Sequence, residues 1–183
     1  MSGRLNGDPR VPAPLTPTGR AQVALVAAQL ADIPFDFAGH TGFPRTIETL
    51  EILLGGRSLP TEVFPELGDV RLGIFEGGPL SDYRDWRAEH RPTDAPPGGE
   101  SRVEVLARYV EGFERLAGVD AFEALVVMHD VPIRFLANAL VGADPLDGPV
   151  TRVKNAEVLL VDERQLCSGL SRMRERLGGL TRE

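Results

Sequence analysis

The chain has 183 residues, of which 42% are hydrophobic and 26% charged, and its formal net charge is −7. That composition belongs to a folded domain rather than a disordered tail. An acidic chain without a basic block also excludes an extended nucleic-acid footprint, which needs clustered cations to neutralise phosphates. The single cysteine, Cys167, excludes an internal disulfide, fits a reducing compartment and is expected as a small core or boundary residue. No run reaches the ~18 apolar residues of a membrane span. The opening stretch MSGRLNGDPRVPAPLTPTG lacks the apolar core of a signal peptide, so the expected location is cytoplasmic, away from membranes.

In chain order, Thr16 as N-cap and Pro17 at the first helical position open a helix with Val23, Ala27 and Leu30 on one face. FDFAG at 35–39 reads as a strand, and PRTIETLEILLGG as a helix closed by Gly55 and Gly56. TEVFPEL reads as a second strand, and the glycine-rich GDVRLGIFEGGPL as a structured loop. A helix follows over about 80–90, and then SRVE, a capping box of Ser101 and Glu104, starts a helix running to about Leu116. ALVVM at 124–128 is an apolar run of the kind found in strands covered on both faces, and a helix over Val131–Leu140 follows it. AEVLLV at 156–161 is expected as a last strand, ahead of a helix with Leu166, Leu170, Met173 and Leu177 on one side. The alternation implies a single α/β domain over 1–183, a three-layer α/β/α sandwich.

In such folds ligands gather beyond the carboxyl ends of the parallel strands. His129, at the exit of the 124–128 run, and Arg45, in the loop after the 35–39 strand, both fall there, each beside a helix N-terminus. That pair suits a phosphate or carboxylate, with acid–base chemistry to hand. The three histidines, His40, His90 and His129, have no metal-ligand spacing with one another or with Cys167, and no metal or cofactor is expected. His40 and His90 read as loop or solvent-facing residues, and Asp130 as a helix N-cap.

Five blocks, LTPTGRAQ, FPRTIETLEILLGG, ELGDVRLGIFEG, PPGGES and VVMHDVPIRFLANAL, stand in the order and spacing of the histidine phosphatase superfamily, the phosphoglycerate-mutase-like branch, which the chain resembles from about Arg4 onward. The resemblance implies a mostly parallel mixed sheet. It also implies that Arg45 clamps a phosphate, that His129 is the second histidine bonded to the transferring group, and that Asp69 stands for the proton donor, usually a glutamate. Asn6 and Gly7 resemble the loop that closes over the phosphate. The family's R-H-G strand, with the nucleophilic histidine and the first arginine, precedes a block that begins in this sequence at Gly3 and Arg4. The resemblance therefore implies an incomplete site and an expected start upstream of Met1. Three readings follow. One is a phosphomonoester hydrolase working through a phosphohistidine, its nucleophile upstream. The second is an inactive relative binding a phosphorylated ligand or partner through Arg45 and His129. The third is a one-step hydrolase with His129 activating water. The short stretch from Gly77 to Gly98 favours phosphatase over mutase, and the partner implied is a small phosphorylated substrate or inorganic phosphate, with the oligomeric state open.

Overall fold

The computed structural model describes residues 5–181. Gly3 and Arg4, where the first resembling block begins, lie outside the described residues. The elements run α1 (Pro17–Gln29), β1 (Phe37–His40), α2 (Pro44–Leu54), β2 (Thr61–Val63), α3 (Leu80–Glu89), α4 (Arg102–Ala117), β3 (Ala124–Val127), α5 (Asp130–Leu140) and α6 (Glu163–Leu180), with short 3-10 turns at Pro65–Leu67 and Gly73–Phe75. The strands form a parallel sheet in the order β2-β1-β3.

Alternation along β1 builds the three layers. Phe37 faces a core made with Leu106, Tyr109 and Phe113 of α4, Phe135 and Leu136 of α5, and Leu170 and Met173 of α6. Its neighbour Ala38 faces the opposite side, where Val23 of α1, Leu50 and Leu53 of α2, and Leu125 of β3 close a smaller core. The central strand has helices on both faces, and its first three residues are buried. The sequence signals at the helix starts hold: Thr16 accepts from the Gly19 N–H, and Ser101 and Glu104 form the capping box.

Five expectations need correction. The run 156–161 makes no strand: the Glu157 N–H bonds the Lys154 carbonyl and Ala156 takes φ of 55°, so a turn consumes the first half of the run. Val158, Leu159 and Leu160 lie exposed. Among the described residues the sheet is therefore wholly parallel rather than mixed. The TEVFPEL strand stops at Val63, because Pro65 has no N–H for a ladder and opens a 3-10 turn. Among the described residues β3 pairs only with β1, and it is buried on both faces only in part, with Ala124 exposed and Val126 and Val127 half-buried. Cys167 is exposed, one step off the Leu166, Leu170, Met173 stripe that α6 turns inward. No helix among the described residues is long and apolar enough to cross a membrane.

Candidate active site

β1 and β3 are parallel neighbours, so their carboxyl ends open on the same edge of the sheet. Thr41 directly follows β1, and His129 lies two residues past β3 as the N-cap of α5. Asp130, expected as that cap, is instead the first helical residue, and its carboxylate accepts from the Val153 N–H at 2.7 Å. Arg45 is the second residue of α2, behind Pro44, whose ring presets the backbone for a helix start. Both side chains stand at the positive end of a helix.

One guanidinium nitrogen of Arg45 gathers the site. Arg45 Nη2 donates to the Asn6 carbonyl at 3.1 Å and to Asp69 Oδ2 at 3.0 Å, and lies 3.2 Å from His129 Nδ1. Asp69 Oδ2 is 3.7 Å from the same imidazole nitrogen. Four of the five residues singled out in the sequence therefore meet around one point, with Gly7 adjoining Asn6. Phe43 forms the wall: its ring lies under the Arg45 guanidinium at 4.5 Å and meets the His129 ring edge-to-face at 4.5 Å. On its far side His129 Nε2 lies 2.8 Å from the buried Thr41 hydroxyl.

Electrostatics follow from this burial. Desolvation, then the Arg45 and Arg108 charges, hold the His129 imidazole well below its usual 6.5, so the ring is neutral at pH 7. Desolvation raises the Asp69 carboxyl above its usual 3.8, against the pull of Arg45. Arg45 is itself lowered by desolvation while Asp69 and Glu76 raise it, an arrangement in which one carboxylate stands opposite the guanidinium. Asn6 Oδ1 accepts from the Asp8 N–H at 3.1 Å, whereas its Nδ2 is buried with no hydrogen-bond partner among the described residues. An unpaired amide donor on the residue whose carbonyl holds the guanidinium suits an arriving anion.

Gly7 is packed so closely on the loop after Asp69 that a Cβ there would sit 1.9 Å from the Val70 carbonyl oxygen. Several other residues that hold the site were not singled out in the sequence. Glu76 accepts from the Gly7 N–H and from the Leu72 N–H, both at 2.9 Å. Arg108 of α4 donates to the carbonyls of Glu66, Gly68 and Asp69 and to the nearly fully buried carboxylate of Glu100, which also accepts from the Arg71 N–H. The backbone carrying Asp69 is thus clamped from below. The hint of these roles in the sequence is the place of Glu76 and Glu100 within the resembling blocks ELGDVRLGIFEG and PPGGES, and Arg108 lies in none of the five.

The remaining candidates lie apart. His40 ends β1 rather than sitting in a loop, and its Nδ1 accepts from the Gly42 N–H at 3.0 Å. His90 stacks on Trp86 at the exposed end of α3. Arg134, on α5, donates to the Thr151 carbonyl, and Glu48, on the same helix as Arg45, binds Arg20 and the Leu15 N–H. Among the described residues no group of three or more His, Cys, Asp or Glu is placed to hold a metal ion.

Comparison with known proteins agrees with this geometry. The profile of the histidine phosphatase superfamily (branch 1) matches residues 2–174. The chain is 32% identical to fructose-2,6-bisphosphatase TIGAR B of Danio rerio over 103 residues, 52% of this chain and 40% of that protein. It is 29% identical to adenosylcobalamin/alpha-ribazole phosphatase of Salmonella typhimurium over 132 residues, 64% of this chain and 62% of that protein. The match thus spans less than two thirds of the length of either relative. The fold is similar to the alpha-ribazole phosphatase of Shigella flexneri, with a TM-score of 0.71, 25% identity and coverage of 84% of this chain and 79% of that one. It is also similar to YhfR of Bacillus stearothermophilus, with a TM-score of 0.73, 25% identity and coverage of 87% and 84%. With a matched profile over nearly its whole length and a shared α/β fold, the chain belongs to branch 1 of the histidine phosphatase superfamily.

Proposed function

We propose that the site hydrolyses a small phosphomonoester, with Arg45 and His129 on the phosphoryl oxygens, Asn6 and Gly7 closing over them, and Asp69 protonating the leaving oxygen. The observation that carries this reading is the meeting around one point of Arg45, His129, Asp69 and the carbonyl of Asn6, a residue whose side-chain Nδ2 is unpaired among the described residues. A guanidinium fork and amide donors stabilise charge on a phosphoryl group, and an acid raised by burial is suited to give its proton to an alkoxide. In the covalent step the ester P–O bond breaks, the phosphoryl group passes to an imidazole nitrogen, and Asp69 gives its proton to the departing oxygen. Water then cleaves the P–N bond. On this reading the nucleophilic imidazole is none of the three histidines described, since His129 is enclosed by its bonds to Thr41 and Arg45 while His40 and His90 stand apart.

The presence of one histidine in the site, among the described residues, favours a second reading, phosphate binding without turnover. Inorganic phosphate titrated by calorimetry, with p-nitrophenyl phosphate hydrolysis assayed in parallel, separates the two. Binding that is lost in Arg45→Ala supports both readings. Assayed on the protein isolated from its own cells, release of p-nitrophenol with a trapped phosphohistidine supports the first alone, binding without release the second, and no binding at all removes both.

A further inference from the structure

The hydrogen bonds behind His129 form a short directional chain. Thr46 Oγ1 donates to the Phe43 carbonyl at 2.9 Å, because a carbonyl oxygen only accepts. A hydroxyl has one proton, so in the 3.1 Å contact between Thr46 and Thr41 it is Thr41 that donates. With the Thr41 proton engaged there, the 2.8 Å contact to His129 Nε2 requires the ring to donate and Thr41 to accept. The opposite side of the ring gives the same answer independently. Arg45 Nη2 spends its two protons on the Asn6 carbonyl and Asp69 Oδ2 and, as a guanidinium nitrogen, has no lone pair to accept an N–H, so at 3.2 Å it faces the lone pair of Nδ1 rather than a proton.

We propose that Thr41 and Thr46 are positioning residues that hold His129 as its Nε2–H tautomer, so that the one nitrogen left to gain a proton is Nδ1, which faces Arg45 and Asp69. Thr41, Thr46 and His129 are all buried, and water has little access to compete for these bonds. On the phosphate-binding reading, on which this consequence rests, a phosphoryl oxygen arriving at Nδ1 meets a lone pair. A hydrogen bond forms there once Nδ1 takes up a proton, which the ligand itself or the Asp69 carboxyl, 3.7 Å away, supplies. The charged and titratable groups around the ring are Arg45, Arg108 and Asp69; the two threonines behind it are neutral. The back of the ring therefore sets where the proton goes, and the front sets when.

The test is ring-nitrogen NMR on the 15N-histidine-labelled chain, whose three histidines are separable. Without phosphate, His129 should show Nε2 in the N–H range and Nδ1 in the lone-pair range at pH 7. Thr46→Val frees the Thr41 proton to point at Nε2 and should populate the Nδ1–H form, while Thr46→Ser should restore the original pattern. Should Thr46→Val fail to fold, Thr41→Val, which removes the acceptor of Nε2–H, should give mixed tautomers where Thr41→Ser does not. A wild-type ring protonated at Nδ1, or folded valine variants with unchanged ring shifts, would overturn the proposal. Adding inorganic phosphate should then move Nδ1 into the N–H range. A correct tautomer with no response to phosphate would leave the threonine chain standing and remove the phosphate reading.

Discussion

The carboxyl ends of β1 and β3 lie side by side, and each delivers a histidine, yet the two rings have different surroundings. His40, at the end of β1, is half-buried, and its Nδ1 is taken up in holding the turn at Gly42. His129, past the end of β3, is bonded on both nitrogens, walled by Phe43 and set beside a guanidinium and a carboxyl. Position at a strand end gives a ring access to a cleft. The enclosure behind and beside it gives the ring chemistry, because desolvation and fixed partners move its proton affinity.

The sharpest way to break that contrast is from beneath the His129 end, at Arg108. Arg108→Ala leaves the buried Glu100 carboxylate short of its main partner and should cost about 3 kcal/mol of stability, read as a lowered midpoint in urea. Arg45→Ala should weaken inorganic phosphate binding about a hundredfold, the scale of a lost pair of charged hydrogen bonds at roughly 1.5 to 3 kcal/mol each, as measured by calorimetry.

Acid stability sharpens the contrast further. The His129 imidazole is depressed below 6.5 in the folded chain, so the unfolded chain binds the extra proton first, and stability should fall as pH drops below about 6.5. His129→Gln should remove that component while Asp69, raised instead, still favours the folded state toward acid. Urea melts at pH 7.5 and 5.5 measure the difference. Smallest of all, His40→Gln should change stability by less than about 1 kcal/mol, the net worth of one hydrogen bond, and leave phosphate affinity where it was. A large loss of phosphate binding in His40→Gln would mean that the two strand ends form one site.

Helix starts were legible because their signals are local: Thr16 and Ser101 bond N–H groups three residues on, within the reach of a short sequence window. Arg45 and His129 were legible because a turn after a strand, followed by a helix start, is a local pattern too. Asp69, Asn6 and Gly7 could be named only through the family resemblance, since nothing within ten residues of Asp69 reveals that Arg45 will meet it. Arg108, Glu100 and Thr41 escaped for the same reason, their partners lying up to 88 residues away. The 156–161 run failed in the opposite sense. Its apolar letters suit a strand, but a strand needs a neighbour's backbone, and hydrophobicity alone does not supply one.

Glu76 has a consequence for motion. Its two oxygens hold the Gly7 and Leu72 amides at once, which ties the Asn6–Gly7 segment to the segment that follows Asp69. With Gly7 also seated against Val70, neither segment has a hinge of its own at this junction. Opening should therefore be one cooperative event, in which the Gly7 and Leu72 amides exchange with solvent deuterium at a common rate and both lose protection together in Glu76→Ala.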